Sequence, residues 1–178
     1  MAFKLHTQET APSDSQPLLE NSLKSFGMVP NLHAVMAEAP AVLEAYQNLH
    51  TLFQKTSFNA DELTVIWQTI NIEHECHYCV PAHTGVAHMM GVDAGITEAL
   101  RNKTDLPSEN LQVLRRTTLA MVRNRGHLSQ EDLKDFVDAG YKNQQLLEIT
   151  LGLAQKIMSN YVNHLADTPV DDAFKKFI

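Results

Sequence analysis

Apolar residues recur along the chain at offsets of three and four. Leu18, Leu19, Leu23 and Phe26 form one stripe, and Val42, Leu43, Tyr46, Leu49, Leu52 and Phe53 a second. Leu63, Ile66, Trp67 and Ile70 form a third, while Leu147, Leu151, Ala154, Met158, Tyr161, Val162 and Leu165 are apolar positions of the longest segment. This is the period of an amphipathic helix; a half-buried strand would alternate every second residue. No segment alternates in that way. The pattern predicts an all-α, compact helical bundle forming a single domain over residues 1–178.

The residues between the stripes predict where helices begin and end. Residues 1–16 carry Thr, Ser, Gln and Pro without periodicity and read as an extended arm. Pro17 opens a helix that stops at Gly27, and Asn31 caps a short one to residue 36. Ala39-Pro40 interrupts the chain before a helix over 41–54. Asn59-Ala60-Asp61-Glu62 has the form of a capping box and opens a helix over 60–73. Asp93, Ser108, Ser129 and Asn143 open helices to about residues 102, 124, 139 and 165. The tail, 168–178, ends in Phe174, Phe177 and Ile178, which are expected to pack on their own domain or a neighbouring subunit.

Composition narrows the function. An apolar fraction of 44% and a charged fraction of 20% are ordinary for a globular protein. A net charge of -7, with no basic run longer than Arg115-Arg116 or Lys175-Lys176, argues against nucleic-acid or anionic-membrane partners. The polar start, without an apolar leader, and the absence of a membrane-length apolar run place the expected location in the cytoplasm. In that reducing compartment, two cysteines point to catalysis, redox sensing or metal binding rather than a structural framework.

Both cysteines lie in Glu73-His74-Glu75-Cys76-His77-Tyr78-Cys79-Val80-Pro81-Ala82-His83. If the segment is helical from about Cys76, then Cys76, Cys79 and His83 share one face on successive turns. Pro81 is tolerated only in the first turn, which would instead start the helix near residues 78–80 and run it to Met90. Either way, the preceding helix must break before Cys76, and a new helix start favours a thiolate. His83, one turn beyond Cys79, is placed to exchange a proton, and Tyr78 lies between the cysteines. Glu73 and Glu75 are candidates to orient His83.

Such a dithiol can reduce a peroxide. A thiolate attacks, a sulfenic acid forms, and the second thiol closes a disulfide that an external thiol or dithiol must reopen. No cofactor beyond the dithiol is needed. Two rivals accompany this reading: a pair of small buried side chains, and a zinc site drawn from Glu73, His74, Glu75, Cys76, His77, Cys79, His83 and His88. A c-type haem is excluded, because Val80 and not His follows the second cysteine.

With these residues in hand, the sequence resembles the carboxymuconolactone decarboxylase / alkyl hydroperoxidase D (AhpD-like) superfamily, in its peroxidase-related branch. The segment Ile72 to Thr84 is similar to that family's E-x-x-C-x-Y-C-x-x-x-H core. Gly27-Met28-Val29-Pro30-Asn31-Leu32, Ala39-Pro40, Glu44-Ala45-Tyr46 and Asn160-Tyr161-Val162-Asn163-His164-Leu165-Ala166 carry the likeness over nearly the whole chain. The resemblance implies an all-helical fold that forms homo-oligomers and reduces a small hydroperoxide. It also implies Cys79 as the attacking thiol, Cys76 as the resolving one and His83 in a proton relay. Two departures stand out: Thr64 occupies the place of the prototype's relay glutamate, and Tyr78 that of a histidine before the second cysteine. Glu73, Glu62 and His164 are candidate substitutes for the relay. The same superfamily leaves an alternative, a cofactor-free lyase or isomerase of small lactones using His83 and a glutamate, and a redox-sensing or zinc-binding oligomer is a third reading.

Overall fold

The computed structural model describes residues 3–178, and among them no strand occurs. The helices are α1 (Gln16–Phe26), α2 (Asn31–Met36), α3 (Pro40–Phe53), α4 (Ala60–Glu73), α5 (Cys79–Met89), α6 (Ala94–Asn102), α7 (Glu109–Arg123), α8 (Gln130–Asp138) and α9 (Asn143–Ala166). Short 3-10 turns at Ser13–Ser15 and Asp172–Phe177 flank them. Most caps form as their sequences imply, but Asn31 is the first residue of α2 and not its cap, its side-chain amide donating instead to Pro169 O in the tail. Asn59 accepts from Glu62 N while the Glu62 carboxylate accepts from Asn59 N, and Ser129 and Asp132 form a second reciprocal pair.

Helix α4 is the axis of the bundle. Every residue from Leu63 to Asn71 is buried, so this helix is enclosed on all sides, by α5, α6, α7 and α9. One apolar cluster joins its Ile66, Trp67 and Ile70 to Phe53, Leu100, Leu114, Phe136 and Ile149. A second cluster, built from α1, α2, α3 and the start of α5, contains Leu19, Leu32, Met36, Leu43, Tyr46, Cys76, Tyr78 and Cys79. The thiols therefore lie inside a core and not on a surface.

Helix α9 departs from the expectation its apolar positions suggest. Leu147, Tyr161 and Leu165 are 74%, 57% and 73% exposed, while Gln155, Lys156, Ser159, Asn160 and Asn163 are fully buried. The polar side of this helix faces inward. Gly152 allows the close packing, since a Cβ there would stand 2.8 Å from the Phe53 ring.

The terminal segments fold back. The expected arm packs on α2 through His6 N to Ala34 O (3.1 Å) and buries Ala11 and Ser15; its residues 1 and 2 lie outside the described residues. The tail docks on α5 of its own domain, with the Phe174 ring against Gly85, where a Cβ would come within 2.6 Å.

Candidate active site

The break before Cys76 is a helix terminus of the Schellman type. Glu75 takes the left-handed conformation at φ 52°, its N–H bonds Ile72 O, and Cys76 N–H bonds Asn71 O at 3.0 Å. A non-glycine residue there costs on the order of 1 kcal/mol, spent on turning the chain so that Cys76 points into the core. Cys76 itself is not helical, which corrects the expectation of one continuous helical face. Helix α5 begins at Cys79, with Pro81 in its first turn, where the missing N–H breaks no bond. Gln68 and Asn71 of α4 donate to the carbonyls of Val80 (3.0 Å) and Cys79 (3.4 Å) and fix this start.

Both cysteines are free and buried, at 0% and 1% exposure. The Cys79 amide donates to Cys76 Sγ at 3.3 Å. Asn163 Nδ2 donates to Cys79 Sγ at 3.2 Å and reaches Cys76 Sγ at 3.9 Å, while Ser159 Oγ lies 3.8 Å from Cys79 Sγ. The two thiols are pushed in opposite directions. Burial raises Cys79, but the Cys76 thiol, the Lys156 charge, the Ser159 hydroxyl and the Asn160 amide outweigh it, and the net direction is down. The shared hydrogen bond with Cys79, then burial, then the charge on Cys79, push Cys76 up. The two thiols titrate as a pair, with the directions favouring the anion on Cys79.

Around the thiols stands a layer of rings. His33, Tyr46, His50, Trp67 and His83 follow one another with centroids 5.4, 6.5, 5.7 and 4.9 Å apart. Gln155 locks the middle, accepting from Trp67 Nε1 at 2.8 Å and meeting His50 Nδ1 at 3.0 Å. Beside His83 sits Lys156, its Nζ 2.8 Å from His83 Nε2. Burial, the Lys156 charge and His50 hold His83 well below the ordinary histidine range, so the ring is neutral.

The other sequence candidates scatter. Glu73 forms a two-bond ion pair with Arg123 of α7 at 2.6 and 2.9 Å, away from His83. Tyr78 lies beside the cysteines, yet its hydroxyl donates to Asp171 Oδ2 at 2.5 Å and accepts from Leu32 N at 3.3 Å, tying the tail and α2 together. Burial and the Asp171 carboxylate push that phenol above its ordinary range. Glu62 stays in its cap, Glu75 and His164 are exposed, His74 meets Asn160 Oδ1 at 2.9 Å, and His77 bonds Thr168 O. Thr64 is buried and its hydroxyl has no partner among the described residues. Among the described residues, no three His, Cys, Asp or Glu side chains converge as a metal ion requires, so the zinc reading lacks a ligand set there. The sequence reading missed Lys156, Ser159 and Asn163, although their offsets of three and four on one long helix mark a polar face.

Solved structures share this architecture. An alkylhydroperoxidase AhpD core, an uncharacterized peroxidase-related protein from Ralstonia eutropha JMP134, superposes with TM-score 0.84 at 18% identity, covering 97% of this chain and 93% of its own. The chain has the AhpD-like fold. A second peroxidase-related protein, from Silicibacter sp. TM1040, gives TM-score 0.81 at 17% identity, with 98% and 92% covered. The debrominase Bmp8, as a C82A form with 2,3,4-tribromopyrrole, gives TM-score 0.81 at 16% identity, with 99% and 95% covered. At these identities the likeness concerns the AhpD-like fold and not the reaction. No protein-family model and no curated protein matches the chain. Among the described residues, no helix is long and apolar enough to cross a membrane.

Proposed function

We propose that this chain is a dithiol oxidoreductase that reduces a small hydroperoxide and is recycled by an external thiol or dithiol. The observation that carries the reading is the buried pair of free thiols, with the Cys79 amide donating to the Cys76 sulfur and Asn163 Nδ2 to the Cys79 sulfur. Cys79 attacks the outer peroxide oxygen, the O–O bond breaks, and an alkoxide leaves that takes up a proton. The Cys76 sulfur then displaces water from the Cys79 sulfenic acid and closes the disulfide. Two electrons pass from sulfur to oxygen, and the reductant returns them by thiol–disulfide exchange. The dithiol serves as its own redox group, and the reaction fits the reducing cytoplasm. The outward apolar stripe of α9, with Leu147, Tyr161 and Leu165 exposed, supports a homo-oligomer built on that helix.

The lyase alternative needs a glutamate beside His83. Glu73 is engaged by Arg123 and Glu62 by its cap, which weighs against it. The fold shared with a debrominase, together with the ring layer beside the thiols, favours a halogenated aromatic as a second substrate class. There the thiolate and thiol would replace a carbon–halogen bond with carbon–hydrogen, releasing halide and leaving the disulfide.

The test is mass spectrometry of reduced protein before and after one equivalent of an organic hydroperoxide. Loss of two hydrogens per chain, reversed by a dithiol, is expected. Cys79→Ser should abolish peroxide consumption, and Cys76→Ser should leave a trappable sulfenic acid on Cys79. A sulfenic acid on Cys76 in Cys79→Ser would reverse the assignment, and halide release without peroxide consumption would select the second substrate class.

A further inference from the structure

Lys156 is fully buried on α9, and among the described residues it forms no ion pair with a carboxylate. Its Nζ instead meets His83 Nε2 at 2.8 Å. An ammonium can only donate, so Nε2 accepts and the neutral ring carries its hydrogen on Nδ1. That Nδ1 is buried and has no acceptor among the described residues. The result is a chain of donors running from the lysine through the imidazole and ending in an unused N–H on α5, one turn beyond Cys79.

A buried ammonium is strongly disfavoured without an anion. The ionisable groups around Lys156 are Cys79 and His83 from α5, Cys76 just before that helix, and His50 from α3, with Tyr46 and His33 further along the ring layer. The buried residues of α4 add Trp67, Gln68 and Asn71, none of them ionisable. Imidazoles cannot supply a negative charge, and burial, together with the nearby Cys79, pushes the Tyr46 phenol above its ordinary range. Of the two thiols, Cys79 is the one that Asn163 Nδ2 approaches more closely, 3.2 Å against 3.9 Å for Cys76, and its sulfur is the anion that remains.

Resting on the dithiol reading above, we propose that Lys156 is the counter-ion of the Cys79 thiolate and, through His83, the source of the proton consumed when the dithiol is oxidised. In the reduced state, thiolate and ammonium cancel. As the leaving alkoxide forms, it takes the hydrogen of His83 Nδ1 while Nε2 takes one from Lys156, which becomes a neutral amine. The Cys76 proton leaves in the water of the second step. Thiolate, thiol, ammonium and ROOH thus become disulfide, amine, ROH and water, with the buried site neutral before and after. Without the transfer, disulfide formation would strand the ammonium with no partner. Lys156 acts through His83 and is a positioning residue with a proton to give.

The experiment counts protons. Reduced protein near neutral pH, in weak buffer with a pH indicator, is oxidised by one equivalent of diamide, which accepts two electrons and two protons without peroxide chemistry. Thiolate absorbance in the ultraviolet is followed in parallel. Wild type is expected to lose its thiolate absorbance and to take no proton from solution. Lys156→Arg, whose guanidinium stays charged, should keep the thiolate but draw one proton per disulfide, and Lys156→Met should show no thiolate. One proton taken up by wild type, or no thiolate in wild type, overturns the proposal, and neither reading depends on the variants folding. A failure of diamide to form the disulfide would remove the dithiol reading and this inference together. A disulfide formed with diamide but not with organic hydroperoxide would remove only the peroxidase reading.

Discussion

Asn163→Leu isolates the hydrogen bond that the Cys79 sulfur receives. The amide nitrogen lies 3.2 Å from Cys79 Sγ, and the amide oxygen has no partner, so the substitution removes one donor and strands no other group. Leucine fills a similar volume. A hydrogen bond to a charged acceptor contributes about 1.5–3 kcal/mol, and each pKa unit corresponds to about 1.4 kcal/mol. The first thiol titration step should therefore rise by about 1–2 units. The assay is anaerobic titration of the reduced protein followed by thiolate absorbance, with the denaturation midpoint as a check on folding. Because the thiols are coupled, the quantity compared is the first macroscopic step of the pair. A folded variant whose first step stays put or falls would show that Asn163 does not hold the anion, and the assignment of charge to Cys79 would lose its main geometric support.

Three other outcomes follow from the same contacts. Burial holds His33 at about 3 and His50 at about 4, with His83 well below the ordinary 6.5, so these rings stay neutral in the fold and become charged in the unfolded chain below that value. Their contribution to stability is complete above pH 6.5 and is lost as pH falls toward about 3, at up to about 4 kcal/mol per pH unit where all three differ; a denaturation midpoint flat across this window would contradict it. Tyr78→Phe should lower stability by about 2 kcal/mol through loss of the Asp171 bond and expose the tail to protease, while leaving the thiol titration unchanged; a shifted titration would make Tyr78 part of the chemistry. For the homo-oligomer proposed above, Leu147→Lys with Leu165→Lys should give a smaller particle in light scattering without altering the thiol titration, and an unchanged size would remove α9 as the interface.

The helix boundaries were legible because caps are local. Asn59 with Glu62, and Ser129 with Asp132, satisfy terminal N–H groups within four residues of chain. The dithiol was legible for the same reason. What surrounds it was not. Apolar spacing marks the inner face of a helix only where the interior is apolar, and α9 turns Ser159 and Asn163 inward to the sulfurs and Lys156 inward to His83. Glu73 and Tyr78 are close to the cysteines in sequence, but their partners, Arg123 and Asp171, lie on distant segments that decide where each side chain points.

The complete burial of both sulfurs sets a limit on speed. A reagent reaches Cys79 only when the packing around it parts, so each turnover of the proposed reaction would wait on a local opening with its own rate. The observed rate should then level off at high substrate even if the substrate has no binding site, the plateau being the frequency of opening. Different oxidants would share that plateau, and raising the reactivity of the sulfur would not lift it. On this view the ceiling on catalysis belongs to the motions of the helices, while the chemistry at sulfur decides only how much of each opening is used.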